Sequence, residues 1–277
     1  MQSRRVLSIS RVLNRLMLYL AAIFIALYIL IPIYLIAVLA LSPREVISQY
    51  PKPFIPQDLT LDTMRFFLNS YGILDSVKNS ILVAMITLLI ALIIGAPAGY
   101  ALARYIFPAK DTYRLMVLTT RAFPVVILSI PLITTYIRWG IDDTVSGVAF
   151  MHTAMALPTT ILVTSSIFIA VSKDLEEAAM TMGCSRFEAF RRVALPLALP
   201  GLAASAIFTF VLSWNEVFAA AILTVRNQTL PARLIVQLNQ SPLHFRFAGG
   251  FFILIPAIIF MFFVRRYLFS LWGIKLK

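Results

Sequence analysis

Glu216 is an ionisable residue inside an apolar stretch long enough to cross a membrane, in the run Ser213-Trp214-Asn215-Glu216. A carboxylate in hydrocarbon costs several kcal/mol unless it faces a cavity or a partner. Two readings stay open: a polar residue lining a path, or a structural anchor bonded to neighbouring backbone or to a sister subunit. Trp214 and Asn215 beside it are types that bind sugars, an indole face stacking on C–H groups and an amide bonding two hydroxyls. Tryptophan also anchors spans at membrane interfaces. The two histidines, His152 and His244, sit on different apolar segments without ligand spacing, and His152 reads as a hydrogen-bonded packing residue. No nucleophile–base pair, metal-ligand set or Gly-x-x-x-x-Gly-Lys-Ser/Thr loop occurs in the sequence. No catalytic, metal or cofactor-binding residue is therefore assigned. Any nucleotide-driven step would need another polypeptide.

The elements that must position these residues follow from hydropathy. Sixty per cent of the 277 residues are hydrophobic and only 13% are charged, in apolar blocks of about 20 residues or more, the length of a hydrocarbon core. Each span must satisfy its own backbone hydrogen bonds in lipid, so the fold class is an all-α integral membrane protein. Six runs can be read, at about 16–41, 77–103, 115–137, 147–171, 197–225 and 249–264. Prolines at 32, 97, 124, 131, 158, 200 and 256 lie in or near them and can kink them. Hydroxyls at Thr134, Thr135, Thr159, Thr160, Thr164, Ser165 and Ser166 suit helix packing.

The net charge of +12 could suggest nucleic acid, but the basic residues cluster beside apolar runs on alternate connections. With the N-terminus inside, 15 of the 24 basic residues fall on that side, and Arg121 would be a sixteenth; eight face out, against six carboxylates. Lys and Arg accumulate on the cytoplasmic side, so both termini and the polar stretch 172–196 are expected there. Arg4, Arg5, Arg11 and Arg15 precede a first run too long for a cleavable signal, which reads as a retained span. The single cysteine, Cys184, excludes an internal disulfide. Residues 1–15 read as an N-terminal segment and 16–277 as a single transmembrane domain. The connections 42–76 and 226–247, marked by Pro43, Pro51, Pro53, Pro56, Pro231 and Pro242, read as extended chain rather than a domain.

The polar stretch 172–196 reads as two short helices joined at a glycine. Asp174 with Glu177, and Ser185 with Glu188, each have the form of a capping box. Gly183 suits the left-handed position that closes the first helix, and Pro196 would stop the second, whose last turns hold Arg191 and Arg192. Leu175, Ala178, Ala179 and Met182 share one face at helical spacing, and Phe187 and Phe190 share a side of the second helix. These apolar faces must be covered, by a partner protein or by the membrane domain itself.

Glu177-Ala178-Ala179, then Gly183, then Val193-Ala194-Leu195-Pro196 resembles the EAA signature of ABC-importer permease subunits. Asn79-Ser80, Tyr100-Ala101-Leu102-Ala103-Arg104, Pro200-Gly201-Leu202 and Ser213-Trp214-Asn215-Glu216-Val217-Phe218 extend the resemblance over nearly the whole chain. Together they are similar to the carbohydrate-uptake, MalG-like branch. Val193 replaces the usual isoleucine, Thr181-Met182-Gly183-Cys184 lacks the common Asp before Gly, and Gly273-Ile274-Lys275 matches loosely. The resemblance implies a type I ABC importer permease (MetI/MalG-like) fold of six transmembrane helices in a prokaryotic inner membrane. It implies a sister permease (MalF-like), two ABC ATPase subunits that bind ATP in place of this chain, and an extracytoplasmic binding protein delivering a di- or oligosaccharide or polyol. Lipid would surround it, and no nucleic acid is involved. The implied coupling residues are Glu176, Glu177, Ala178, Ala179, Gly183, Phe187, Leu195 and Pro196. Glu177 would be the charge on the docking helix, Gly183 would set the hairpin angle, and Ala178 and Ala179 would be small because the groove is shallow. Trp214, Asn215 and Glu216 are the candidates for the substrate path. The alternative is a stand-alone ion-coupled carrier with Glu216 as relay, for which inverted repeats and paired broken helices would be expected; neither is visible.

Overall fold

A computed structural model describes residues 2–56 and 58–271, with side chains described over 11–56 and 58–262. Every regular element among the described residues is helical. In chain order they are α1 (Gln2–Ala40), α2 (Arg44–Ser48), α3 (Asp62–Asn69), α4 (Ile73–Arg104), α5 (Lys110–Thr119), α6 (Val125–Trp139), α7 (Val145–Ala170), α8 (Lys173–Thr181), α9 (Arg186–Ala189), α10 (Leu195–Asn215), α11 (Phe218–Leu223), α12 (Leu230–Val236) and α13 (Leu243–Leu271). The side chains of Arg4, Arg5, Arg265 and Arg266, and the segment Gly273-Ile274-Lys275, lie outside the described residues. Five described helices are long and apolar enough to cross a membrane, or six if the bent pair α5–α6 counts as one span.

The chain forms two compact units. One comprises Met1–Ser70 with Gln240–Phe252, the other Tyr71–Asn239 with Ile253–Lys277. In the first, α1 leaves its apolar flanks open over most of its length, while Val38, Leu39 and Ala40 at its end are buried. The 42–76 connection is not merely extended chain, because α2 and α3 fold within it. Thr63 donates to Ser42 O at 3.0 Å and Thr60 N–H to Leu41 O at 2.8 Å. The fully buried Phe67 meets Phe245 edge-on with centroids 5.0 Å apart. These contacts satisfy backbone groups that a solvated linker would leave to water.

In the second unit α4 and α7 pack most closely, because small residues let their backbones approach. A Cβ on Gly99 would lie 2.1 Å from Thr164 Oγ1 and 2.9 Å from Ile161 O, and one on Gly95 would lie 2.6 Å from Thr160 Cγ2. Thr164 donates across the seam to Gly95 O at 2.9 Å. The hydroxyls expected to serve packing at Thr160, Thr164 and Ser165 are buried.

Two runs read as single spans differ from expectation. The third is broken: α5 and α6 meet at 88° across the tight turn Thr120–Ala122. Pro124 drives the residue before it out of the helical region, and Phe123 has ψ 117°. The fifth ends at Asn215 and resumes as α11 at Phe218. Its start also differs, because Pro196 does not stop a helix. A wide π-turn, Phe190–Ala194, joins α9 to α10, so Arg186–Asn215 runs on as one 30-residue span. Proline is tolerated there in the first turn of α10, where its missing N–H costs little. Of the seven span prolines, only Pro124 marks a sharp break; the other six lie inside helices.

Candidate functional site

The polar hairpin α8–α9 is built by its end signals. Ser172, not Asp174, is the N-cap of α8, its hydroxyl accepting from Asp174 N–H at 3.3 Å. The expected Asp174–Glu177 box is therefore absent, and Glu177 instead meets Lys173 at 3.0 Å on the exposed surface. Gly183 takes φ +96°. Around it Cys184 N–H donates to Ala179 O at 3.1 Å and Gly183 N–H to Met180 O at 3.0 Å, the paired bonds of a Schellman closure. The Ser185–Glu188 capping box is present. The Ser185 backbone N–H, its hydroxyl and Arg192 hold the Glu188 carboxyl below the usual carboxylate range.

The two faces of α8 separate cleanly. Glu176 and Ala179 turn inward, 4% exposed each, whereas Leu175, Ala178 and Met182 lie open. The expected apolar stripe is thus split: Ala179 is small because its own chain packs on it, and the rest of the stripe is uncovered. Phe190 is partly buried against Tyr100 and Phe168, with centroids 4.5 and 5.9 Å away, while Phe187 is 69% exposed. Leu195 is half-buried and Pro196 exposed.

Glu176 does not belong to the open face. Its carboxylate accepts from Tyr100 OH at 2.6 Å and from Arg104 Nε at 2.7 Å. The Arg104 Nη2, 2.6 Å from the same carboxylate, also donates to Val171 O at 2.8 Å. This charge-assisted cluster ties α8 to the end of α4 and to the last carbonyls of α7. A hollow of about 310 Å³ lies beside it, lined by Tyr105, Lys173, Met180 and Arg186 among others. The hairpin presents no bond-making chemistry; it is an exposed face on a rigid mount. Sequence reading quoted Tyr100 and Arg104 but missed their partner. The available signal was an arginine closing an apolar run on the same side as an acidic loop.

Trp214, Asn215 and Glu216 are not brought together on an open wall. Trp214 is buried, its indole N–H donates to Ile253 O at 3.0 Å, and it stacks on Phe210, so its face is not available to a sugar. Asn215 is exposed and spends an amide hydrogen on Val211 O at 3.0 Å. Glu216 sits in the break between α10 and α11. It accepts from Ala219 N–H at 3.0 Å and Ala220 N–H at 3.2 Å, and meets His152 Nε2 at 3.0 Å. His152 is fully buried, with Nδ1 2.8 Å from Ser213 Oγ. These bonds span the break between α10 and α11, and His152 is the partner that sequence reading did not connect to Glu216. Glu216→Gln is expected to lower solute uptake only in part, about two- to fivefold, because its single amide oxygen keeps some of these bonds while its NH2 faces an N–H donor, whereas a proton relay would be abolished. Glu216→Ala should lower stability by about 1–3 kcal/mol, the cost of orphaned buried donors, read as a lower melting temperature in detergent.

At the opposite end of α7 from the hairpin, Asp143 joins two loops. Its carboxylate accepts from the N–H groups of Val225 at 2.9 Å, Arg226 at 3.0 Å and Asn227 at 3.0 Å. Burial pushes its pKa up, but these backbone donors outweigh it and hold the carboxyl below its ordinary value. Among the described residues no group of three His, Cys, Asp or Glu side chains could hold a metal ion.

The chain is 32% identical over 245 residues to the trehalose transport system permease protein SugB of Mycobacterium tuberculosis, covering 86% of this chain and 89% of that protein. It is 29% identical over 213 residues to the diacetylchitobiose uptake system permease protein DasC of Streptomyces coelicolor, covering 76% of this chain and 77% of that one. Its fold matches a chain of a bacterial ABC transporter that imports the acidic polysaccharide alginate, with a TM-score of 0.73 over 93% of this chain and 96% of that chain at 22% identity. A family model, the binding-protein-dependent transport system inner membrane component, matches residues 91–271. The hairpin, the tied α4–α7 pair and the broken fifth span all lie wholly or largely within that match. The chain belongs to the family of binding-protein-dependent transport inner membrane components, the non-catalytic permease subunits of ABC transporters with the type I importer fold.

Proposed function

We propose that this permease forms half of the path for a sugar, a di- or oligosaccharide or polyol, and that an ATPase drives it through α8–α9. The observation that carries the reading is the uncovered face of Leu175, Ala178 and Met182 on a helix whose other side is bolted to α4. An exposed apolar patch at a rigidly held site is what a partner groove requires. The sugar assignment is supported by relatives named for trehalose and diacetylchitobiose uptake. Both termini and the hairpin are assigned to the cytoplasm from the basic-residue count. A sister permease completes the path, two ATPases sit beneath, and an external binding protein delivers the solute. ATP closes the ATPase pair, the hairpins move with it, and the tie to α4 and the continuous run into α10 carry that motion into the membrane. Glu177 faces the ATPase; Glu176 acts through Arg104 as a positioning residue.

Ala178→Asp tests this directly. A substitution at an exposed site away from special features changes stability by less than about 0.5 kcal/mol, so the protein should insert and melt normally. Uptake in whole cells should fall at least tenfold, and ATPase activity should no longer respond to the loaded binding protein. Unchanged uptake would remove this face from the coupling path.

A further inference from the structure

Arg121 was counted with the cytoplasmic basic residues, but its surroundings reach deeper. It lines a mainly apolar cavity of about 310 Å³ between α7 and α10, with Ala156, Val163, Phe208 and Leu212 beside Thr159, Thr160 and Thr209. Thr160 and Thr209 face each other there at 3.2 Å. Thr160 stands ten residues before the end of α7 at Ala170, about 15 Å at 1.5 Å per residue, so the cavity that the exposed Arg121 borders reaches well into the span. A guanidinium within a span is costly unless it faces a water-filled cavity or an anion.

The chain itself supplies no anion. Among the described residues Arg121 has no hydrogen bond and no carboxylate within salt-bridge reach, while the buried carboxylates of this unit are engaged, Glu176 with Arg104 and Glu216 with His152. Its planar fork of donors matches a carboxylate in two parallel bonds. Of the hydroxyls there, that of Thr159 is partly open, whereas Thr160, Ser205 and Thr209 are buried and the first and last of these are bonded to Ala156 O and Ser205 O. The cavity is at the small end of ligand sites, sized for one ring of a longer solute.

We propose that Arg121 is a charge-reading subsite of the path, and that the transported solute is a sugar bearing a carboxylate. This rests on the carbohydrate reading above and narrows it. The test uses the whole transporter, with its sister permease, ATPase and binding protein, in membrane vesicles. Uptake is measured for matched labelled pairs, digalacturonate against galactobiose and cellobiouronate against cellobiose. The wild type should carry a carboxylated member. Arg121→Gln should reduce that uptake at least tenfold at equal assembly, and Arg121→Lys should retain part of it. Wild-type uptake restricted to the neutral sugars overturns the inference, as does undiminished carboxylate uptake by Arg121→Gln. Uptake of no sugar at all would sink the carbohydrate reading too, so the two failures are distinguishable. Equal loss of charged and neutral uptake, or failed assembly, would assign Arg121 to a sister-subunit carboxylate or a lipid phosphate and overturn it as well. An independent readout is Thr159→Cys with Cys184 replaced by serine. It should react faster with a sulfonate-bearing thiol reagent than with a trimethylammonium one, and digalacturonate should slow it; the reverse preference, or no protection, counts against the subsite.

Discussion

Replacing Glu176 with leucine should abolish coupled uptake and leave the α8–α9 hairpin open to protease. The side chains of Glu176 and Arg104 are 5% and 10% exposed, so the substitution leaves a buried guanidinium with its main partner gone. Breaking such a pair from one side costs about 3–5 kcal/mol. That exceeds what α8 can absorb, because the other long-range contacts of the hairpin are made by Phe190 beyond it, against Tyr100 and Phe168, so α8 should detach while α4 and α7 stay packed. Limited proteolysis should cut within 172–196 at least tenfold faster than in the wild type, with only a small change in overall melting. The double variant Glu176→Leu with Arg104→Leu is the informative partner, because removing both charges is often nearly neutral where removing one is not. It should recover hairpin protection. Equal fragility of the single and double variants would show that the charge pair is not what mounts α8.

Gly99→Leu should prevent the second unit from assembling. The first added carbon would already lie 2.1 Å from Thr164 Oγ1, 2.7 Å from Ser165 N and 2.9 Å from Ile161 O. Two of those atoms are backbone and cannot rotate away, so α4 and α7 must separate along their seam. Overpacking a close core typically costs about 1–3 kcal/mol, and here the separation would also stretch the Thr164–Gly95 bond of 2.9 Å. Gly250→Ala is the matched control, since its new carbon would meet only Ile36 Cγ2 at 3.8 Å. Monodisperse protein after solubilisation should vanish for the first variant and persist for the second. A normal yield of Gly99→Leu would mean that the α4–α7 seam is softer than its geometry implies.

The positions of the spans were legible because hydrophobicity over about twenty residues is a strong signal. Their breaks were not. Phe123-Pro124 and Glu216-Val217 interrupt runs that remain apolar throughout, so hydropathy passes through them unchanged. Pro124 differs from the six prolines that bend nothing sharply only through the chain around it. The hairpin was legible in outline, since Gly183 and the Ser185–Glu188 box are local rules with local causes. Which face of α8 turns inward was not, because Glu176 reaches Arg104 across 72 residues. Charge alone also missed the cavity: Arg121 counts as one more basic residue near a span end, and only packing puts it beside Thr160. Trp214 shows the converse case. Its type suggested a sugar platform, whereas burial and the Ile253 carbonyl make it part of the core.

The π-turn at Phe190–Ala194 sets a phase as well as a length. Thirty residues from Arg186 to Asn215 make an unbroken run of about 45 Å. The additional residue in the wide turn offsets one end from the other by about 100°, the rotation that a single position represents in an ordinary helix. The hairpin and the His152-facing side of α10 are therefore set at different angles about a common axis, like two keys cut on one shaft.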